Sequence, residues 1–276
     1  MEHIDLTLFS ICVQAAIGIM IFVAIGMLLN KDALFKNSVF AAVGLGVIGM
    51  LASLLHLGKP FSAIRALYQF GESWLSREIW FTAIFMALLV LIALLIILKS
   101  DNRRAIIGLA WGAVLVGLVD VFSMAATYST SSVPIWQGNA TFVEFYAATI
   151  SIGAVLFLLL SFKEAVNMGR IAALAVAAIV IVQVAIVVPY FVAVAGNSSA
   201  ALHGSLGILA SMGLANSLKW IAILSGTVMV LWLVKGEQSK SFESLLAGSA
   251  FLLFAGHLVG RYLFYASLVV TGIGLS

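Results

Sequence analysis

His56 and Glu78 are the residues whose types and spacing offer chemistry. The stretch LLHLGKPFSAIRALYQFGESWLSRE, from Leu54 to Glu78, puts a histidine at the end of one apolar helix and a glutamate at the start of the next. An imidazole titrates near neutrality, and a carboxylate beside it can orient it or pass its proton on. The pairing therefore points to proton-coupled chemistry at a membrane edge. Quinol oxidation fits, because protons must be accepted as electrons leave. The pocket has to be apolar for ring and tail, with one or two polar groups to grip the hydroxyls. The electron acceptor is expected on another subunit: Cys12 is the one cysteine, it sits in an apolar helix, and it offers neither iron–sulfur ligation nor a structural zinc site.

The elements that must position these residues are set by the solvent. With 63% hydrophobic and 9% charged residues and a mean hydropathy of +1.19, the chain has too few polar groups to cover a soluble core. It reads as an all-α integral membrane protein with eight transmembrane helices, since the apolar runs are continuous rather than alternating. Each span needs about 20 residues to cross roughly 30 Å of hydrocarbon. The spans are expected near Leu8 to Leu29, Val39 to Leu57, Ile79 to Leu98, Ala105 to Tyr128, Phe142 to Phe162, Ile171 to Val194, Leu218 to Val234 and Leu245 to Val270. They make one transmembrane helical domain over residues 1–276, with an interfacial loop at about 58–77. The first span lacks a basic leader and a small-residue cleavage site, so it reads as a retained helix.

Lys31, Lys36, Lys99, Arg103, Arg104, Lys163, Arg170, Lys235 and Lys240 all fall on one side of this arrangement. The positive-inside bias makes that side cytoplasmic and the topology N-out/C-out. Lys59, Arg65, Arg77 and Lys219 fall on the other side. The net charge of +3 is mostly this asymmetry, and it gives no support to a nucleic-acid partner.

Counting about 1.5 Å of rise per residue puts Gln14, His56, Glu78, Asp120, Glu144 and Arg261 in the outer third, with His257 and Gln183 nearer the middle. Ionisable groups at membrane depth are costly unless paired or solvated, so their gathering on one side marks a candidate site. Each also has a structural reading. Glu144 can cap the fifth helix, Asp120 and Arg261 can form an interhelical ion pair joined by His257 one turn away, and Gln14 and Gln183 can tie helices together. Lys59 and Arg65 can snorkel at the interface, or face an acidic partner or a polar head group. The loop from Ser129 to Phe142, with Pro134 and Trp136 and no charge, can cover a cavity or meet a docked protein. Two other functions compete. A b-type haem needs paired histidines, but His56 and His257 differ in depth by several turns. A secondary transporter would show matching broken helices, yet Pro189 alone interrupts a span.

The segments SLLHLGKPFSAIRAL and LSREI, the SSVPIW loop and the GHLVGRYLFY stretch of the last helix together resemble the membrane anchor subunit of bacterial dimethyl sulfoxide reductase, the DmsC family, over nearly the full length. The resemblance implies an inner-membrane anchor for a molybdopterin catalytic subunit and a four-cluster iron–sulfur subunit. Such an anchor oxidises menaquinol from the quinone pool without haem and passes electrons to the nearest 4Fe–4S cluster. By the same resemblance His56 matches the histidine tied to menaquinol, Glu78 the glutamate at the following helix start, and Arg261 the arginine of the last helix. Lys59, Arg65 and Asp120 complete the expected quinol-binding set. Arg77 and His257 depart from the family pattern, which expects a small polar and an acidic residue there.

Overall fold

The computed structural model describes residues 3–30, 32–56, 68–165, 168–233 and 242–270, with backbone only at 55 and 56. Among them the regular structure is helical: α1 (Ile4–Leu29), α2 (Lys36–His56), α3 (Trp74–Leu98), α4 (Arg103–Ser129), a 3-10 turn at Pro134–Trp136, α5 (Asn139–Ser161), α6 (Gly169–Ala195), α7 (Ala200–Ser211), α8 (Gly213–Leu233) and α9 (Phe242–Ala266). Eight of these helices, all but the short α7, are long and apolar enough to cross a bilayer. They are apolar on nearly every face, as helices solvated by lipid outside and protein inside must be.

α1 is the central post. Most of its length is buried, far more than in any other span, and it packs against α2, α4, α5 and α9. Its closest approach is to α5 at Gly18 and Gly153. A Cβ on Gly18 would land on the Thr149 carbonyl, and one on Gly153 would land on the Gly18 backbone. Only glycine lets two helices meet this closely, a common device where lipid supplies no hydrophobic drive for association.

The starts of α1, α3, α5 and α8 and the ends of α2, α4, α6 and α9 share one end of the bundle, called here the polar end. The opposite end carries Lys36, Lys99, Arg103, Arg104, Lys163 and Arg170. There Arg103 closes α1, donating from Nη2 to the carbonyls of Met27 (2.6 Å) and Asn30 (2.8 Å) and from Nη1 to that of Ala33 (2.8 Å). The guanidinium thus satisfies carbonyls around the end of α1 that lack helical donors. Replacing it with methionine is expected to cost about 1–3 kcal/mol, seen as a lower thermal midpoint of the purified protein. An unchanged midpoint would mean that water serves those carbonyls as well.

The largest differences from the sequence reading lie before α3 and before α8, which itself starts at Gly213 rather than near Leu218. α3 begins at Trp74 rather than near Ile79, because Ser73 caps it, its Oγ accepting from the Ser76 N–H at 3.4 Å. The expected interfacial loop at 58–77 therefore gives up its last four residues to the helix. Arg77 fixes the turn before it, donating to the carbonyls of Phe70 (2.9 Å) and Gly71 (2.7 Å) while its guanidinium lies 4.1 Å from the Trp74 ring centroid. Before α8, the expected loop contains the separate helix α7, which carries His203 on an exposed face.

Candidate functional site

Buried polar groups at the polar end fall into two clusters on different helices. The first lies between α3 and α4. Glu78 and Thr82 are one turn apart on α3, and Asp120 and Thr127 are two turns apart on the antiparallel α4, so the four side chains meet as two rungs. Thr127 Oγ1 lies 3.2 Å from Glu78 Oε2 and 2.9 Å from the Ser123 carbonyl. Thr82 Oγ1 donates to Asp120 Oδ2 at 2.9 Å. Glu78 is 4% exposed and Asp120 is fully buried, with Asp120 Oδ1 unpartnered. Neither carboxyl has a cation within ion-pair reach among the described residues.

The second cluster joins α1, α5, α6, α8 and α9. Lys219 Nζ donates to Glu144 Oε1 at 2.8 Å, and Gln183 Nε2 donates to Glu144 Oε2 at 3.2 Å. On the α1 side, Arg261 Nη2 donates to Gln14 Oε1 at 3.1 Å, and its guanidinium lies 3.4 Å from the Phe145 centroid, a desolvated cation–π contact. His257, one turn before Arg261, is buried with Nε2 unpartnered, as are Arg261 Nε and Nη1. Charges buried in such a place must be held by partners, and here the partners are inside the protein.

These contacts revise several residue readings. Asp120 and Arg261 do not pair: the carboxylate is held by Thr82 and the guanidinium by Gln14 and Phe145. Glu144 is no helix cap, since α5 starts at Asn139 and the carboxylate closes an ion pair between helices. Lys219, expected at the outer edge of its span, is buried within α8. Gln14 and Gln183 do tie helices together. The backbone of His56 ends α2, which packs on α3, while its side chain, Lys59 and Arg65 lie outside the described residues. The structure thus brings Glu78 and Asp120 to one interface and sets Arg261 in the other cluster.

Sequence reasoning misses the Glu144–Lys219 pair as a site. The signal is there, a lysine inside the apolar run LKWIAIL and a glutamate and a glutamine in two other spans. The pair borders a cavity of about 550 Å³ lined by α5, α6, α7, α8, α9 and the 3-10 turn and open on one side, with no described residue of α2 or α3 in its wall. Trp136 is part of that wall. It is buried, donates from Nε1 to the Phe264 carbonyl (2.8 Å), and stacks on the Phe264 ring at 5.0 Å. Tyr190 pins the same turn from α6, its hydroxyl 2.9 Å from the Ile135 carbonyl. No group of three or more histidine, cysteine, aspartate or glutamate side chains suited to a metal occurs among the described residues.

Comparison with known proteins agrees with this architecture. The family model of the DMSO reductase anchor subunit (DmsC) matches residues 1–267. The C subunit of anaerobic dimethyl sulfoxide reductase from Escherichia coli (strain K12) is 31% identical, over 98% of the present sequence and 96% of its own. The YnfH subunit of an anaerobic dimethyl sulfoxide reductase from the same strain is 25% identical over the same shares. The corresponding C subunit from Haemophilus influenzae is 27% identical over 95% of the present sequence and 94% of its own. A multi-pass helical protein matched across nearly its whole length in this way belongs to the DMSO reductase anchor subunit family, and its role is that of a membrane anchor in a reductase of that type.

Proposed function

We propose that this protein is also the quinol-oxidising subunit of its complex. In this reading both termini face the periplasm, and the protein holds an iron–sulfur subunit and a molybdopterin catalytic subunit on the bacterial inner membrane. Menaquinol docks where α2 hands over to α3. It loses two protons and two electrons to become menaquinone. His56 hydrogen-bonds a ring hydroxyl and accepts its proton, and Glu78 orients the imidazole or relays that proton. The electrons leave one at a time to the nearest 4Fe–4S cluster of the partner subunit, so no haem is needed. Asp120, deeper on the same interface, extends the polar lining, and Lys59 and Arg65 lie beside the ring's approach. Arg261 acts through helix positioning, because it joins α9 to α1.

One observation carries this reading. Of the two glutamates within helices at the polar end, the half-buried Glu144 is neutralised by Lys219, whereas the buried Glu78 has a threonine hydroxyl and no cation among the described residues. A carboxyl without a fixed counter-charge is the one able to take up and give up protons during turnover. Its place near the start of α3, which packs on α2, suits a relay from the residue ending α2.

Glu78→Gln is the matching test. It keeps the Thr127 contact but cannot carry a proton. Quinol-driven sulfoxide reduction by the intact complex should fall by about 10²-fold or more, the usual weight of a positioned proton-transfer group. Reduction driven by a soluble dye donor, which bypasses the membrane subunit, should be unchanged. Equal loss with both donors, or no loss with quinol, would remove Glu78 from the mechanism.

A further inference from the structure

The cavity beside Glu144 and Lys219 has a wall chemistry of its own. At about 550 Å³ it has the size of a small-molecule site. Its sides are mostly apolar and carry the rings of Trp136, Tyr190, Phe191, Trp220 and Phe264, surfaces that favour a flat ring. Lys219 and Glu144 form one polar corner. Lys219 is buried, uses one N–H for Glu144 Oε1, and lies 4.9 Å from the Trp220 centroid. An ammonium has three N–H groups, and no other protein acceptor for Lys219 is found among the described residues. The corner is therefore a hydrogen-bond donor with little net charge, since the carboxylate cancels the ammonium. An anionic head group would meet Glu144, and a cationic one would meet Lys219. An uncharged ring oxygen is repelled by neither.

We infer that this cavity binds the carbonyl-bearing ring of a quinone, with Lys219 donating to a ring oxygen, the aromatic walls flanking the ring and the tail leaving towards lipid. It is a binding site separate from the edge at Glu78, because no described residue of α2 or α3 lines it. The inference shares its ligand class with the proposed function but not its location, and it assigns no redox step to the cavity.

The test uses the intact complex in lipid nanodiscs and a photoreactive azido-naphthoquinone with a short prenyl tail, followed by peptide mapping. Saturable labelling is expected on segments of α6, α7 or α9 that line the cavity, such as Val187–Phe191 or Leu263–Ser267, and it should be displaced by unlabelled menaquinone-4. Leu209→Trp, which fills the cavity from α7, should cut that labelling at least about tenfold, equivalent to ~1.4 kcal/mol of binding. It should leave quinol-driven turnover in place. His56→Ala should keep the labelling even where turnover is lost, which separates this inference from the proposed function. Ala210→Trp is the second filling variant should Leu209→Trp fail to accumulate. Three results would overturn the inference. One is labelling that menaquinone-4 does not displace, as with acyl chains filling the space. Another is labelling unchanged by filling, and the third is labelling lost in His56→Ala.

Discussion

Replacing Lys219 by methionine is expected to stop this protein from accumulating in the membrane. The change leaves Glu144 as a half-buried carboxylate, its side chain 17% exposed, whose remaining contact is the amide of Gln183, and stranding one partner of a pair so placed costs up to about 3–5 kcal/mol, the figure for full burial. That is comparable with the whole stability of many domains. Glu144→Gln should be less severe, because the stranded ammonium keeps its Trp220 contact and borders the cavity. The double variant Glu144→Gln/Lys219→Met should recover most of the lost stability, since it removes both charges and keeps similar volumes. Abundance and thermal midpoint of the purified protein measure all three. A single variant as stable as the parent would show that the pair is solvated and contributes little.

Gly18→Val should be nearly as damaging, for a steric reason. Its Cβ would fall on the Thr149 carbonyl of α5, so the two helices must separate, and overpacking of this kind costs about 1–3 kcal/mol or more. The damage should spread. Gln14, one turn earlier on α1, holds Arg261, and Arg261 lies on Phe145 of α5, so a shift between α1 and α5 loosens α9 as well. Gly112→Ala is the control, with nothing within 4 Å of its added Cβ. It should be neutral or stabilising by up to ~1 kcal/mol, the helix-propensity difference between the two residues. If Gly18→Val and Gly112→Ala behave alike, the close crossing of α1 and α5 is absent.

The spans are legible in the sequence because lipid leaves a helix one way to satisfy its backbone, and long apolar runs follow directly. Their edges are less so. The residues Trp74 to Arg77 read as loop because Ser76 and Arg77 lower local hydropathy, yet the Ser73 cap starts the helix before them. The gathering of polar residues at one end is legible from depth alone. Their partners are not, because hydropathy sets how deep a residue lies and leaves open which helix it faces. Asp120 and Arg261 have opposite charge and similar depth, so the sequence allows them to pair, but α4 and α9 present them to Thr82 and Gln14. Lys219 and Glu144 look like outer-edge residues for the same reason. Their pairing depends on α5 packing near α8 and α9, a tertiary fact with no local signal. The cavity beside them depends further on the SSVPIW turn folding back under Tyr190, which the turn's apolar composition allows without dictating.

The central claim is that quinol gives up its protons at the junction of α2 and α3, and single-turnover reduction of the partner subunit's iron–sulfur clusters tests it most directly. Oxidised complex mixed anaerobically with menaquinol should reduce those clusters quickly in the parent, and His56→Ala should slow that phase by about 10²-fold or more while a dye donor reduces the same clusters at the parental rate. Cluster reduction by menaquinol at an unchanged rate in His56→Ala would contradict the account.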